Sequence, residues 1–349
     1  MKNRAHIWTG IFPALGMLVL IIDSKTALSG AKDGIILCIN TIIPSLFPFI
    51  VLTVMFNSML LGKNICMLRL IGKYCGVPKG AESLLLLGII GGYPVGAQSI
   101  YQAFQTGQIK RSDARHMLGF CNNAGPAFIF GMVSSLFSSP VVAWVIWGIH
   151  ILSALLVGIC LHDKATDNCM IKPCAPLSIT ESLERSIRVT ATICGWVILF
   201  RIMIAVCSRW FLWLLSIELQ LVVCGLLELS NGCFVLQTVD SDALRFIFSC
   251  CFLAAGGLCV VMQTTSVAGE LGIGTYIRGK VLQCGFSIIM ATFAQNYLFP
   301  EGDRLHVPVI IVICTAVLCI SIIVLQHRKK VVAILQPLMY NNIKTSTLR

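Results

Sequence analysis

Two apolar segments between residues 81 and 136 are each broken near the middle, the first by Gly91-Gly92-Tyr93-Pro94-Val95-Gly96, the second by Asn122-Asn123-Ala124-Gly125-Pro126. Neither break suits a simple membrane anchor. Pro94 and Pro126 have no N–H to give and clash with the preceding turn, and glycine tolerates backbone conformations that a continuous helix excludes. In hydrocarbon, each freed backbone group is costly unless protein or a water-filled cavity receives it. Two successive breaks carrying Tyr93, Asn122 and Asn123 therefore mark a polar site at mid-membrane depth, the arrangement by which interrupted helices line solute sites.

The bilayer enters through composition. With 57% hydrophobic and 12% charged residues in 349, and apolar runs repeatedly longer than about 18 residues, the chain reads as an all-α polytopic membrane protein. Its net charge of +11 comes without a basic helix, aromatic-basic interleaving or zinc spacing, so nucleic acid is not an expected partner; the positive-inside rule accounts for it. The 17 cysteines fall mostly within apolar segments, where they serve as small hydrophobes, and their spacing suggests no metal. Lys2 and Arg4 before an apolar run resemble a signal peptide, but the run is long for one and reads as an uncleaved first helix.

Charge sets the expected topology. Segment one, about 7–22, leads to a loop containing Asp23, Lys25, Lys32 and Asp33; segment two, about 34–61, carries Pro44 and Pro48 and is expected to kink. Lys63, Arg69, Lys73 and Lys79 form a cytoplasmic loop, and so do Lys110, Arg111 and Arg115. Both can lie inside only if residues 81–105 form a re-entrant hairpin folded at Tyr93-Pro94. A broken span (about 116–136) and a helix (about 141–161) follow.

The second half repeats this order after a linker at 162–186. A helix at about 187–207 carries Arg201, and a hairpin at about 210–237 folds around Glu228-Leu229-Ser230-Asn231-Gly232-Cys233. A helix broken at Ala254-Ala255-Gly256-Gly257 is followed by helices at about 280–299 and 307–326 and the basic tail Arg328-Lys329-Lys330. The expectation is eight spans, two hairpins and both termini inside. Its units are a first helix and loop (1–33), a first repeat (34–161), a linker (162–186), a second, inverted repeat (187–299) and a final helix with tail (300–349). An inverted repeat places its site at the repeat interface.

The candidate solute-binding residues are Tyr93, Pro94, Gln98, Asn122, Asn123, Gly125, Arg201, Glu228, Ser230 and Asn231. Arg201 and Glu228 are the ionisable residues deepest in apolar sequence. Arg201 could attract an anion and Glu228 a cation or proton, or the two could form a structural ion pair. Asn122 and Asn123 could meet a ligand or repair the break at Pro126, and Tyr93, Gln98, Ser230 and Asn231 could line a cavity or cap helices. Gly274-Thr275-Tyr276-Ile277-Arg278-Gly279-Lys280 approximates a phosphate loop but lacks the Ser/Thr and the preceding strand. With no HExxH or Ser/His/Asp set, no enzyme chemistry, cofactor or metal is expected.

At Gly92-Tyr93-Pro94-Val95-Gly96-Ala97, Gly107-Gln108-Ile109 and Phe120-Cys121-Asn122-Asn123-Ala124-Gly125-Pro126-Ala127-Phe128-Ile129, the chain resembles the YlbJ (SpoVV) sporulation integral membrane proteins, of the "nucleoside recognition" or Gate-domain group. Pro44-Ser45-Leu46-Phe47-Pro48-Phe49 and Gly225-Leu226-Leu227-Glu228-Leu229-Ser230-Asn231-Gly232 extend the resemblance. It implies paired hairpins, as in concentrative nucleoside transporters, and movement of dipicolinate, a small aromatic dianion, across the outer forespore membrane. The expected partners are then the bilayer and an anionic or nucleoside-like solute, and a homo-oligomer is compatible with the sequence. The alternatives are a nucleoside transporter and a non-transporting scaffold for spore-envelope assembly.

Overall fold

The computed structural model describes residues 13–60, 62–63, 65–162, 176–303, 315 and 317–323. Among these there is helix and no strand, and four helical stretches are long and apolar enough to cross a membrane: Ser24–Leu60, Pro140–Leu161, Ile179–Trp210 and Asp242–Leu271. Large apolar side chains such as Trp144, Leu152, Ile217 and Phe293 are exposed, while Asn122, Asn123, Glu228, Asn231, Lys280 and Gln283 are buried. That inside-out polarity suits a bilayer.

Helix α1 (Pro13–Ile22) is followed directly by α2 (Ser24–Leu37). The loop expected at 23–33 is therefore helix, with only Asp23 forming a turn. Its charges do not break the helix because they are drawn to a neighbour: Asp23 accepts from Trp210 Nε1 at 3.0 Å, and Asp33 lies 3.7 Å from Arg201. A π turn at Cys38–Ile42 joins α2 to α3 (Ile43–Leu60). The π turn lies where the Pro44 ring would meet the carbonyl four residues back, and widening the turn relieves that clash; Pro48 lies inside α3.

The basic stretch at 63–79 contains a short helix, α4 (Cys66–Tyr74), whose Arg69 pairs with buried Glu82 at 2.6 Å. Helices α5 (Glu82–Ile90) and α6 (Val95–Gln105) fold back on each other. A Cβ on Gly96 would lie 3.2 Å from the Gly88 Cα, whereas eight residues of straight helix would separate them by about 12 Å. Helix α7 (Arg111–Leu118) starts within the expected basic loop, and an extended stretch leads to α8 (Pro126–Gly131), with proline at its first position. Helix α9 is Pro140–Leu161.

Helix α10 (Ile179–Trp210) opens with a capping box between Ser178 and Glu181 and packs along α2 and α3. Helices α11 (Ile217–Leu227) and α12 (Leu229–Leu236) fold back in their turn, so that a Cβ on Gly232 would lie 2.5 Å from the Gly225 Cα. The apex is at Glu228, and Gly232 lies inside α12. The carboxylate sets that boundary by accepting from the Ser230 and Asn231 amides at 3.0 and 2.7 Å.

Helices α13 (Asp242–Ala255) and α14 (Gly257–Ala268) are separated where expected, with Gly256 at φ +72°. Helix α15 runs Gly274–Leu298 and packs against α9 and α13. It begins six residues before its expected start, so Lys280 lies inside the helix and not at its first residue. The turn at Glu301–Asp303 caps α13 through Asp303, which accepts from the Ala243 amide at 3.1 Å. The linker core at 163–175, most of the expected last helix and the tail Arg328-Lys329-Lys330 lie outside the described residues.

Candidate functional site

Each pair of half-helices is wedged against one of the breaks. Added Cβ atoms on Gly88 and on Gly96 would both come within 2.3 Å of the Cys121 carbonyl oxygen. On the other side, Cβ atoms on Gly225 and Gly232 would meet the Phe252 ring, four residues before the Gly256 break. Glycine is required at these positions by close approach, and the two breaks are held in the same way, once by backbone and once by a ring.

The first break is saturated by its own asparagines. Asn122 accepts from the Ala97 amide at 3.2 Å and donates to Thr264 Oγ1 at 3.0 Å. Asn123 donates to the Phe120 and Gly88 carbonyls at 2.7 and 3.3 Å, and its Oδ1 accepts from Lys280 Nζ at 3.3 Å and Gln283 Nε2 at 3.1 Å. The Ala124 amide donates to His150 Nε2 at 3.0 Å. Both asparagines thus hold backbone groups of the interrupted segments as well as side chains from the second half.

The first apex reaches across to the second half of the chain, whereas the second is tied to α10. Tyr93, joined to Pro94 by a cis bond, donates from Oη to the Leu253 carbonyl at 3.0 Å. Gly92, at φ +73°, packs against Gly125. At the second apex, Asn231 Nδ2 donates to Glu228 Oε2 at 2.8 Å, while Asn231 Oδ1 accepts from Arg201 Nη1 at 2.7 Å. Arg201 and Glu228 are thus linked through Asn231, neither paired directly nor separate.

Among the described residues, three cavities lie between α2–α3 and α10. The outermost, about 390 Å³, is lined by Asp33, Asn40, Thr41, Ser135, Arg201 and Asn231. The middle one, about 60 Å³, lies between the two apices and the first break and is lined by Tyr93, Gly125, Val197, Glu228, Ser230 and Gln263 among others. The third, about 260 Å³, is lined by Asn57, Ser58, Gln98, Ser99, Gln102 and Arg185. Helix α10 contributes to all three in order: Arg185 and Val189, then Ile193 and Val197, then Arg201.

Of the residues expected to form a site, Tyr93, Gly125, Glu228 and Ser230 meet at the middle cavity. Arg201 and Asn231 line the outer one and Gln98 the third. Pro94, Asn122 and Asn123 line none of these and sit in the wall behind. Sequence reasoning missed Lys280, Gln283, His150, Gln263 and Arg185. A signal existed for the first two: Tyr276, Lys280, Gln283 and Ser287, at helical spacing on α15, are all buried. No group of three or more metal-ligating side chains occurs among the described residues. No family model, curated protein or solved structure matches this chain.

Proposed function

We propose that this chain is a membrane transporter or facilitator for a small polar or anionic solute, with dipicolinate, moved across the outer forespore membrane, as the first candidate. The observation that supports it is the row of three cavities along one helix pair, with an arginine at each outer chamber and both apices at the middle one. Arg185 and Arg201 lie about 24 Å apart along α10 at 1.5 Å per residue, comparable with a hydrocarbon core of about 30 Å. At about 60 Å³ the middle cavity is well below the roughly 300 Å³ of a small-molecule pocket. This conformation is accordingly the closed one, and transport requires the hairpins to move.

In this reading the halves form an inverted repeat of eight spans and two re-entrant hairpins, with both termini cytoplasmic. The second chamber of the cycle opens when the polar layer of Arg201, Asn231 and Glu228 or the apolar layer near Ile50, Val189 and Ile193 parts. Dipicolinate itself rests on the resemblance of the first-half motifs, whereas the two arginines favour any small anion over a neutral nucleoside.

The test is uptake of labelled dipicolinate, with uridine as control, into liposomes holding the purified chain or Val197→Phe, which fills the middle cavity from a helix wall. Saturable dipicolinate uptake, lost in a variant that still accumulates and purifies normally, is expected. Absence of uptake by correctly inserted wild-type protein would favour the scaffold reading.

A further inference from the structure

We infer that Lys280 is a proton-binding site and that the proton it holds latches the first hairpin to the second break. Lys280 is 4% exposed. Its ammonium has three N–H donors and meets three acceptors: Gln283 Oε1 at 2.8 Å, Tyr93 Oη at 3.1 Å and Asn123 Oδ1 at 3.3 Å. It also sits over the rings of Tyr93 and Tyr276, 4.9 and 5.6 Å from their centroids. All of these partners are neutral, and among the described residues no carboxylate pairs with it. A buried charge compensated only by dipoles and aromatic faces marks a functional position inside a membrane.

The latch follows from counting protons. Tyr93 accepts from Lys280 and gives its single O–H to Leu253, a carbonyl freed at the end of α13. A neutral amine has two N–H groups and a lone pair, so it cannot serve three acceptors, and its lone pair competes with Leu253 for the Tyr93 proton. Losing the proton thus weakens either the tie to Asn123 at the first break or the tie from the Tyr93 apex to the second. The depth of Lys280 is fixed by the adjacent Gly279, where a Cβ would collide with the Gly119 carbonyl. Gln283 extends the network to α9, donating to the His150 carbonyl at 3.2 Å.

The titratable groups around Lys280 are Tyr93 at the first apex, Cys121 at the first break, His150 on α9 and Tyr276 on its own helix. Helix α13 brings Cys251, which faces Cys284 at 3.4 Å. On α7, His116 is turned to the Cys75 carbonyl and Arg111 to the Glu270 carbonyl. His150 already accepts the Ala124 amide; the Tyr93 O–H itself makes the Leu253 tie, and Lys280→Arg separates loss of that proton from loss of the one on Lys280. Coupling of this proton to solute movement rests on the transporter reading above, but its hold on the hairpin does not.

The experiment is amide hydrogen exchange at 91–96 in the full chain in lipid nanodiscs, corrected for intrinsic base catalysis and referenced to α9, from about pH 5 to about pH 10, the span over which lysines in proteins titrate. Protection in the wild type should fall by about tenfold, as loss of a hydrogen bond to a charged group implies, in a single one-proton step. Lys280→Met should exchange fast at every pH and Lys280→Arg slowly at every pH. Tyr93→Phe, which keeps the ring and the charge, should also lose the step. A flat wild-type profile, or a step retained in Lys280→Arg or Tyr93→Phe, overturns the proposal; should a lysine variant not fold, the wild-type profile and Tyr93→Phe decide. Dipicolinate uptake driven by a pH gradient is the second arm, and its failure beside a positive exchange result counts against the transporter reading alone.

Discussion

Arg201 and Glu228 never touch, because Asn231 stands between them, accepting from the guanidinium at 2.7 Å and donating to the carboxylate at 2.8 Å. Arg201 and Asn231 line the outer cavity and Glu228 the middle one, so this relay is the partition between two chambers. An isolated carboxylate or guanidinium at this depth would be expensive, and the relay lets each satisfy the other without the desolvation of direct contact.

Asn231→Leu removes two hydrogen bonds to charged groups at about 1.5–3 kcal/mol each. The variant should melt earlier and admit solute to the middle cavity from the outer side. In a double-mutant cycle with Arg201→Met, the coupling should be about 0.5–3 kcal/mol. Strict additivity by thermal unfolding in detergent would show that no relay exists.

Two glycine pairs should respond differently to the same substitution. Gly88→Ala and Gly225→Ala both overpack, at a typical cost of about 1–3 kcal/mol. The obstacle to Gly225→Ala is the Phe252 side chain, whereas that to Gly88→Ala is the Cys121 carbonyl. Adding Phe252→Leu should therefore restore much of the stability of the Gly225→Ala chain, while no side-chain change should rescue Gly88→Ala.

Asn123→Leu orphans the Phe120 and Gly88 carbonyls and takes one acceptor from Lys280. At about 1–3 kcal/mol for each buried group left unsatisfied, it should lose both uptake and thermal stability. Val197→Phe should lose uptake alone. If Asn123→Leu melts like the wild type, Asn123 is a ligand contact and not a repair of the break.

Topology can be read by side-specific labelling in a cysteine-depleted background. A reporter at exposed Thr106, after α6, should react from the cytoplasmic side only, and one at exposed Thr238, after α12, from the opposite side only. Labelling of both from one side would refute the opposite entry of the two hairpins.

The local chemistry of Gly91–Pro94 and Gly256-Gly257 placed both breaks correctly from sequence, because proline and paired glycine act on their own backbone whatever surrounds them. The same holds for the helical class and the bilayer, which follow from the length of apolar runs. The second turn falls at Glu228, the first residue of the stretch expected to hold it, since glycine at 232 serves close packing against Phe252 and the turn belongs to a capping carboxylate.

What the tertiary structure alone decided is who faces whom across long separations. Nothing local in the sequence singles out Lys280, because its acceptors, Tyr93 and Asn123, stand 187 and 157 residues away. For Asn122 and Asn123 the sequence leaves ligand contact and repair of the break both open, because Thr264 and Lys280 cannot be seen beside them. Composition and backbone chemistry are local and determine where helices form and fail; the pairing of buried polar groups is set by packing between halves, and no window of sequence contains both partners.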